Sequence, residues 1–355
     1  MSGLYRVSLA LALCAPVLVG ARQPAVAAPE GSIRLHVEVT DAKGVPVGGL
    51  SQQDFTLLDQ GKPVPIKSFR AEGASGQMPN APIQVILLID TVNLEFEHVA
   101  YVRQEVRKFL RQNGGHLAVL VSVLLMTDDA VDVIQPPSTD GNAEAARLAQ
   151  AGGALRGLNQ TAGDYGDGER FQISLKMLST VLENAVEKPG RKLLIWIGPG
   201  WPWLPDAGLE QPLYSLQEKY FQLIVGYSEL LRQANTTLYS VSVGDPNAVT
   251  FLYKGYLKGA RSAGDASTGN LSLKVLAVQS GGMALNPDSD LARHITQCVR
   301  DASAYYTLTF APPRAGKPDE YHALKVRVDK HGLTARTTTG YYGQPPAVAV
   351  PVAAP

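Results

Sequence analysis

The feature that most constrains this fold is an apolar run, Ile83 to Ile89, that ends abruptly in Asp90. A nearly continuous apolar run predicts a central parallel strand that is covered on both faces. In open α/β sheets, ligand sites lie beyond the carboxyl ends of such strands. Asp90 is therefore the first candidate for a functional residue.

Strand and helix patterns alternate after this run, up to about residue 302. Apolar residues at helical spacing follow Asp90, and their stripe is Val99, Val102, Val106, Phe109 and Leu110. Further helices are predicted at 171–185, 216–234, 271–279 and 289–302, and further strands at 117–126, 130–134, 193–197 and 238–243. Such alternation indicates right-handed crossovers with helices on both faces of a parallel sheet. The predicted fold class is α/β, doubly wound and mostly parallel.

Both flanks of this α/β segment have β character. From Ile33 to Thr40, apolar and polar residues alternate with the period of a half-buried strand. Three more strands are predicted at 305–310, 321–328 and 333–338. Each flank alone offers too few strands to be stable, so we expect the two to pack together as one small β module. The predicted organisation is a signal peptide (1–27), a β unit (33–72), an α/β domain (83–302), carboxyl-terminal strands (303–343) and a Pro/Ala-rich tail (344–355).

The amino-terminal residues have the pattern of a secretory signal peptide. Arg6 precedes an apolar stretch from Val7 to Val19, and Ala25-Val26-Ala27 offers small residues at the cleavage spacing. The stretch is shorter than the roughly 20 residues that a membrane-spanning helix needs. We therefore predict an exported chain, periplasmic or extracellular, with no transmembrane segment after processing. Cys298 would be the single cysteine left, which excludes an internal disulfide.

The charge balance argues against nucleic acid as a partner. The 355 residues carry 32 basic and 32 acidic side chains, for a formal net charge of zero. Proteins that bind phosphate backbones usually carry a basic excess. The six histidines show no pair at the spacing of metal ligands.

Residues 83–98 resemble the first strand and loop of the von Willebrand factor A (VWA) family. The metal-binding loop of that family has the sequence Asp-x-Ser-x-Ser, and the same positions here are Asp90-Thr91-Val92-Asn93-Leu94. Residues 190–200 look like the fourth strand of the family and its following loop. Gln279-Ser280-Gly281-Gly282 and Gly340-Tyr341-Tyr342 resemble motifs of a bacterial subgroup, the VWFA-related secreted proteins. The resemblance covers about residues 33–343.

The resemblance implies a magnesium or calcium site built from oxygen ligands on three loops. Asp90 and Asn93 are the candidates in the first loop, and Asp164 and Asp167 are those in the second, which lacks the family's threonine. The third loop has Pro199 where the family has an aspartate. With these ligands missing, we expect a degenerate site and no cofactor. The structural alternative is that Asp90 and Asn93 cap the next helix.

An aromatic loop follows the strand at 193–197. Trp201, Trp203 and Leu204 are predicted to form a partner-binding surface beside the site end of the sheet. The alternative is that the tryptophans pack locally, since most tryptophans are largely buried.

The function predicted from the sequence is a protein–protein or surface interaction module without catalysis. Its partner is another protein that the sequence does not identify. One alternative is a metal-dependent adhesion domain that binds its partner through magnesium at Asp90. A further alternative is a hydrolase that uses Asp90, Asp164 and Asp167.

Overall fold

The computed structural model describes residues 31–73, 82–128, 130–133, 136–151, 164–202, 214–244 and 252–345. The predicted signal peptide and most of the carboxyl-terminal tail lie outside these ranges. No helix within the described ranges combines the length and the apolar character needed to cross a membrane.

The described residues form a β-rich segment, an alternating α/β segment and a second β-rich segment. The first contains β1 (Ile33–Thr40), β2 (Phe55–Asp59), β3 (Lys62–Pro63) and β4 (Ser68–Glu72). The second contains β5 (Ile83–Asp90), α1 (Phe96–Leu110), β6 (His116–Met126), β7 (Val131–Val133), β8 (Ser138–Asp140), α2 (Gly141–Gln150), α3 (Asp164–Val186), β9 (Arg191–Ile197), α4 (Tyr214–Gln233), β10 (Thr236–Val241), α5 (Leu273–Gln279), β11 (Ala284–Leu285) and α6 (Leu291–Val299). The third contains β12 (Tyr305–Phe310), β13 (Glu320–Val328), β14 (Thr334–Arg336) and β15 (Gly340–Gly343).

The central sheet has the order β11-β10-β9-β5-β6-β7, and β8 also pairs with β6. Strands β5, β6, β9, β10 and β11 are parallel, whereas β7 and β8 run antiparallel to β6. Read from β7 to β11, with the strands numbered by chain order and β8 left out, this path is the 3-2-1-4-5-6 order of doubly wound folds. The predicted mostly parallel, doubly wound sheet is therefore confirmed.

Helices cover both faces of this sheet. Apolar side chains of α1, α2 and α6 pack on one face, and those of α3, α4 and α5 pack on the other. The predicted stripe on α1, from Val99 to Leu110, is buried. One boundary was wrong: the segment predicted as a second metal loop belongs to α3, which begins at Asp164. Packing of the later apolar turns of α3 outweighs the low helix propensity of Gly166 and Gly168.

The two flanks pair with each other, but they form two sheets rather than one small unit. One antiparallel sheet has the order β14-β1-β12-β4, and the other has the order β15-β13-β2-β3. Strand β1 pairs with β12, for example Leu35 opposite Leu308, so the two flanks of the α/β segment meet in this sheet. Side chains from both sheets form one shared core that includes Val37, Leu57 and Phe310. The predicted contact between the flanks is thus confirmed, although the flanks form two antiparallel sheets.

A buried polar network joins this β sandwich to the amino ends of the parallel strands. Arg191, the first residue of β9, pairs with Glu38 of β1, and both side chains are almost fully buried. Arg191 also donates to the carbonyl oxygen of Asp301 at 3.1 Å, and its guanidinium lies over the ring of Tyr305. Arg336 of β14 pairs with the carboxylate of Asp301. The sandwich therefore sits at the end of the sheet opposite Asp90.

His36 belongs to the same junction and is neutral there. Its Nε2 lies 2.6 Å from Oδ1 of Asn235, the residue before β10. Burial and the nearby charge of Arg191 lower the pKa of His36 to about 3. A neutral imidazole donates one hydrogen bond across the junction without adding a second positive charge beside Arg191.

Candidate functional site

The site predicted by topology lies where the strand order reverses, between β5 and β9. In doubly wound sheets, ligands bind in the crevice outside the carboxyl ends of the strands at this switch point. Asp90 is the last residue of β5, and Gly198 directly follows β9. A Cβ atom on Gly198 would lie 2.9 Å from Cβ of Asp90, so the two strand ends approach too closely for a side chain there.

The carboxylate of Asp90 is buried and accepts four hydrogen bonds from N–H groups. The backbone amides of Val92 and Asn93 donate to Oδ1 at 3.2 and 3.0 Å. The side-chain amide of Asn93 and the indole of Trp196 donate to Oδ2 at 2.8 and 2.9 Å. Burial raises the pKa of Asp90, while the donors on Trp196 and Asn93 oppose that rise. Since a carboxylate has about four lone-pair positions, this acceptor is saturated.

Strand register places the Trp196 indole beside Asp90. Leu88 lies opposite Trp196 across the parallel pair, so their side chains are on the same face of the sheet. Asp90 is two residues beyond Leu88 and shares that face. Trp196 was not among the predicted site residues. One signal was present: a tryptophan in an otherwise aliphatic buried strand needs an acceptor for its N–H.

Asn93 connects the Asp90 loop to α3. Its side-chain nitrogen donates to Oγ of Ser174 at 2.9 Å as well as to Asp90. Ser174 in turn donates to the carbonyl oxygen of Arg170 at 2.7 Å. The side-chain oxygen of Asn93 is buried and has no hydrogen-bond partner among the described residues. Asn93 therefore acts mainly as a donor at this site.

The helix-cap alternative needs correction. Helix α1 begins at Phe96 with Glu95 in the capping position, five residues beyond Asp90. Asp90 instead accepts from the amides of its own loop, two and three residues along the chain. Thr91 fixes the other side of this loop, because its hydroxyl donates to the carbonyl oxygen of Met126 at 2.6 Å. The loop is thus closed by its own backbone and by β6.

The second predicted ligand group is only partly described. Asp167 lies near the start of α3 and pairs with Arg170, one turn further along the helix. The side chain of Asp164 lies outside the described part of the chain. Among the described side chains, Asp167 does not contact Asp90 or Asn93.

These surroundings do not fit a cation bound to Asp90. Magnesium and calcium take oxygen ligands, whereas the four groups that surround this carboxylate are N–H donors. The side-chain oxygen of Asn93 is the one buried side-chain oxygen of the described loop that lacks a hydrogen bond. A cation would have to take the carboxylate from these four donors, which would leave buried N–H groups unpaired.

Trp201 packs inside the molecule, which agrees with the packing alternative. Its ring is 7% exposed and lies edge-on to Trp196, with the ring centroids 5.3 Å apart. The indole N–H donates to the carbonyl oxygen of Leu271 at 2.9 Å. Little of Trp201 is therefore left for a partner. Trp203 and Leu204 lie outside the described residues, and their partner-binding role stays a prediction.

An exposed group that the sequence patterns did not single out begins α1. Phe96 is 80% exposed, and it stands between Glu95 and Glu97, which are also exposed. The side-chain ligand atoms of Glu95, Glu97 and His98 lie within 4.8 Å of one another. Because α1 follows the Asp90 loop, this group lies at the carboxyl end of the sheet.

The comparisons with known proteins give likenesses in fold only. No protein-family model and no curated protein matches the chain. Among solved structures, the chain is similar to the pilus adhesin SpaC of Lactobacillus rhamnosus GG, with 10% identity, 87% of this chain and 47% of that chain covered, and a TM-score of 0.40. The chain thus spans about half the length of that adhesin.

Two further structures with similar folds differ in how much of this chain they cover. The manganese-loaded TRAP protein of Plasmodium vivax has 9% identity, with 82% of this chain and 100% of that chain covered and a TM-score of 0.35. The SpRpn10 VWA domain has 11% identity, with 60% and 95% covered and a TM-score of 0.28. At TM-scores of 0.40 and below, these likenesses do not establish a shared function.

Proposed function

We propose that this chain is an exported protein-interaction module that binds its partner without a metal ion at Asp90 and without catalysis. The observation that carries the proposal is the saturated carboxylate of Asp90, which accepts from Val92, Asn93 and Trp196. A metal-dependent adhesion site needs that carboxylate as a ligand. Here the same carboxylate holds the loop and β9 together instead.

We propose the absence of catalysis from the burial, hydrogen bonding and ion pairing of the candidate acids. A general acid or base must reach the proton that it transfers. Asp90 is fully buried, and its oxygens already accept hydrogen bonds from the protein. Asp167 is paired with Arg170. The burial of Asp90 and the ion pair of Asp167 support a non-catalytic role for these two carboxylates.

The partner surface is proposed at the carboxyl end of the sheet, because the opposite end is covered by the β sandwich. Arg191 and Glu38 are buried in that covered junction. At the carboxyl end, Phe96 offers exposed apolar area. The predicted loop residues Trp203 and Leu204 follow β9 and are expected at this same end.

The proposal is tested by capture from the cell-envelope proteins of the producing organism. The immobilised full chain is incubated with the extract in EDTA and, separately, in excess magnesium. We expect the same proteins to be retained in both conditions, because no metal takes part in the contact. Retention that requires magnesium would restore the adhesion alternative. Retention of no protein in either condition would contradict the interaction function itself.

A matched pair of variants locates the contact. Phe96→Ala removes exposed apolar area at the carboxyl end, and Val186→Ala removes it at the opposite end, where α3 stops before β9. We expect Phe96→Ala to reduce retention and Val186→Ala to leave it unchanged. The reverse result would move the contact away from the switch-point end.

A further inference from the structure

The first turn of α1 presents an aromatic side chain to solvent. Phe96 is 80% exposed, the largest exposed fraction among the large apolar side chains of the described residues. A buried aromatic ring removes about 150–250 Å² from water, so an exposed ring leaves most of that gain unused. Aromatic residues of this kind are enriched among the residues that dominate binding energy at interfaces.

The charges around Phe96 are acidic. Glu95 and Glu97 flank it in the chain, and the side chain of Glu95 is 65% exposed. His98 lies 3.6 Å from Glu95, and no lysine or arginine of the described residues pairs with Glu95 or Glu97. Asp128, two residues past the end of β6, is exposed at the same edge of the sheet. Arg170 is near this edge, but its guanidinium is paired with Asp167.

We propose that the Phe96 patch, formed by Glu95, Phe96, Glu97 and His98, binds a protein partner that offers an apolar pocket bordered by lysine or arginine side chains. The proposal rests on the interaction function proposed above and names the chemistry of the partner. Phe96 fills the pocket, and the two glutamates pair with its basic border. Complementary charge of this kind selects partners and speeds their encounter.

The side chains of Glu95, Glu97 and His98 have a shared geometry that suits a cation on the partner. Their ligand atoms converge within 4.8 Å, so one ammonium or guanidinium group can contact both carboxylates. The carboxylates repel each other at that separation, and a partner cation relieves the repulsion. Because the groups are exposed, we expect the electrostatic part of binding to weaken as salt is added.

The experiment uses two fluorescent peptides of equal length as probes. One alternates lysine with leucine, and the other alternates glutamate with leucine. Binding to the full chain is measured by fluorescence anisotropy at low and high salt. We expect the lysine peptide to bind, with an affinity that falls as salt rises, and the glutamate peptide to bind at least about tenfold more weakly.

Variants separate the apolar contribution from the charged one. Phe96→Ala is expected to weaken the lysine peptide by about tenfold or more, as for a central interface residue. The double change Glu95→Gln and Glu97→Gln is expected to remove most of the salt dependence while keeping part of the affinity. Val186→Ala, which shortens an exposed side chain at the other end of the sheet, is the control and should bind as the wild type does. All of these residues are exposed, so we expect the substitutions to change stability little. A melting temperature close to that of the wild type checks that each variant is folded.

Three results would overturn the proposal. The first is equal binding of both peptides, or of neither. The second is an affinity for the lysine peptide that Phe96→Ala leaves unchanged. The third is that sedimentation shows the chain to be a dimer and that Phe96→Ala abolishes the dimer. The patch would then bind a second copy of this chain. None of these results depends on metal, so a failure here is distinguishable from a magnesium requirement in the capture experiment.

Discussion

The indole N–H of Trp196 donates a 2.9 Å hydrogen bond to Oδ2 of Asp90, across the point where the order of the parallel strands reverses. The two residues are 106 positions apart in the chain and belong to neighbouring strands, β5 and β9. The contact occupies the position in the fold where a ligand crevice is expected. In this structure the candidate ligand residue Asp90 accepts a hydrogen bond from the neighbouring strand.

Replacing Trp196 tests this contact. Trp196→Phe removes the donor and leaves a buried carboxylate with one partner fewer, which costs about 1.5–3 kcal/mol for a bond to a charged acceptor. Trp201→Phe is the matched control, since it removes a neutral bond to the carbonyl oxygen of Leu271, worth about 0.5–1.5 kcal/mol. Urea unfolding should therefore show the larger loss for Trp196→Phe. Equal losses would mean that Asp90 gains little from the indole.

Replacing Asp90 separates its structural role from that of a simple helix cap. Asp90→Ala leaves the buried donors of Trp196 and Asn93 without their acceptor, at about 1–3 kcal/mol for each unsatisfied group. We expect the free energy of unfolding to fall by at least about 3 kcal/mol, measured by urea unfolding. A helix cap contributes only about 1 kcal/mol. A loss of that smaller size would contradict the role proposed for the four donors.

Glu144 predicts a pH dependence of stability. This residue of α2 is fully buried, and neither carboxylate oxygen has a hydrogen-bond partner in the described structure. Burial, with a smaller effect from Asp140, raises its pKa from 4.5 to about 7. Between these two values the unfolded chain releases the proton and the folded chain keeps it. Stability from this group is therefore highest at low pH and falls as pH rises to about 7.

The variant Glu144→Gln removes this titration while keeping the shape of the side chain. We expect it to melt at a higher temperature than the wild type at about pH 8, with a difference that shrinks towards about pH 5. Asp140→Ala is the companion variant, because Asp140 caps α2 by accepting from the amide of Ala143, and alanine cannot replace that cap. It should lower the melting temperature at every pH. A Glu144→Gln effect that does not change with pH would show that the carboxyl does not titrate in this range.

The pair Arg191–Glu38 is expected to couple the sandwich to the α/β domain. Arg191→Met leaves buried Glu38 with only the longer 4.0 Å contact to Arg336, which costs about 3–5 kcal/mol. The double variant Arg191→Met, Glu38→Gln should recover part of that loss, because no unpaired charge remains. Urea unfolding followed by tryptophan fluorescence measures both. If the single and double variants are equally unstable, the pair contributes packing rather than charge compensation.

The strand at 83–90 and the helices with periodic apolar residues could be predicted from the sequence. A continuous apolar run and apolar residues at helical spacing are both local patterns. Contact between the two flanks could also be predicted, since neither flank alone has enough strands to be stable, but the specific pairing of β1 with β12 could not. The hydrogen bond between Trp196 and Asp90 could not, because it depends on the register of two distant strands. Asp167 was placed in a loop for a similar reason: the packing that draws its segment into α3 comes from later turns of that helix.

The central claim is that protein N–H groups, and no metal ion, satisfy Asp90. Thermal melting of the full chain with EDTA, magnesium, calcium or manganese tests it most directly. A cation that binds only the folded state stabilises it by about 2.7 kcal/mol at one hundred times its dissociation constant, and so raises the melting temperature. We predict the same melting temperature in all four conditions. A rise with any of the cations that disappears in Asp90→Asn would contradict the account.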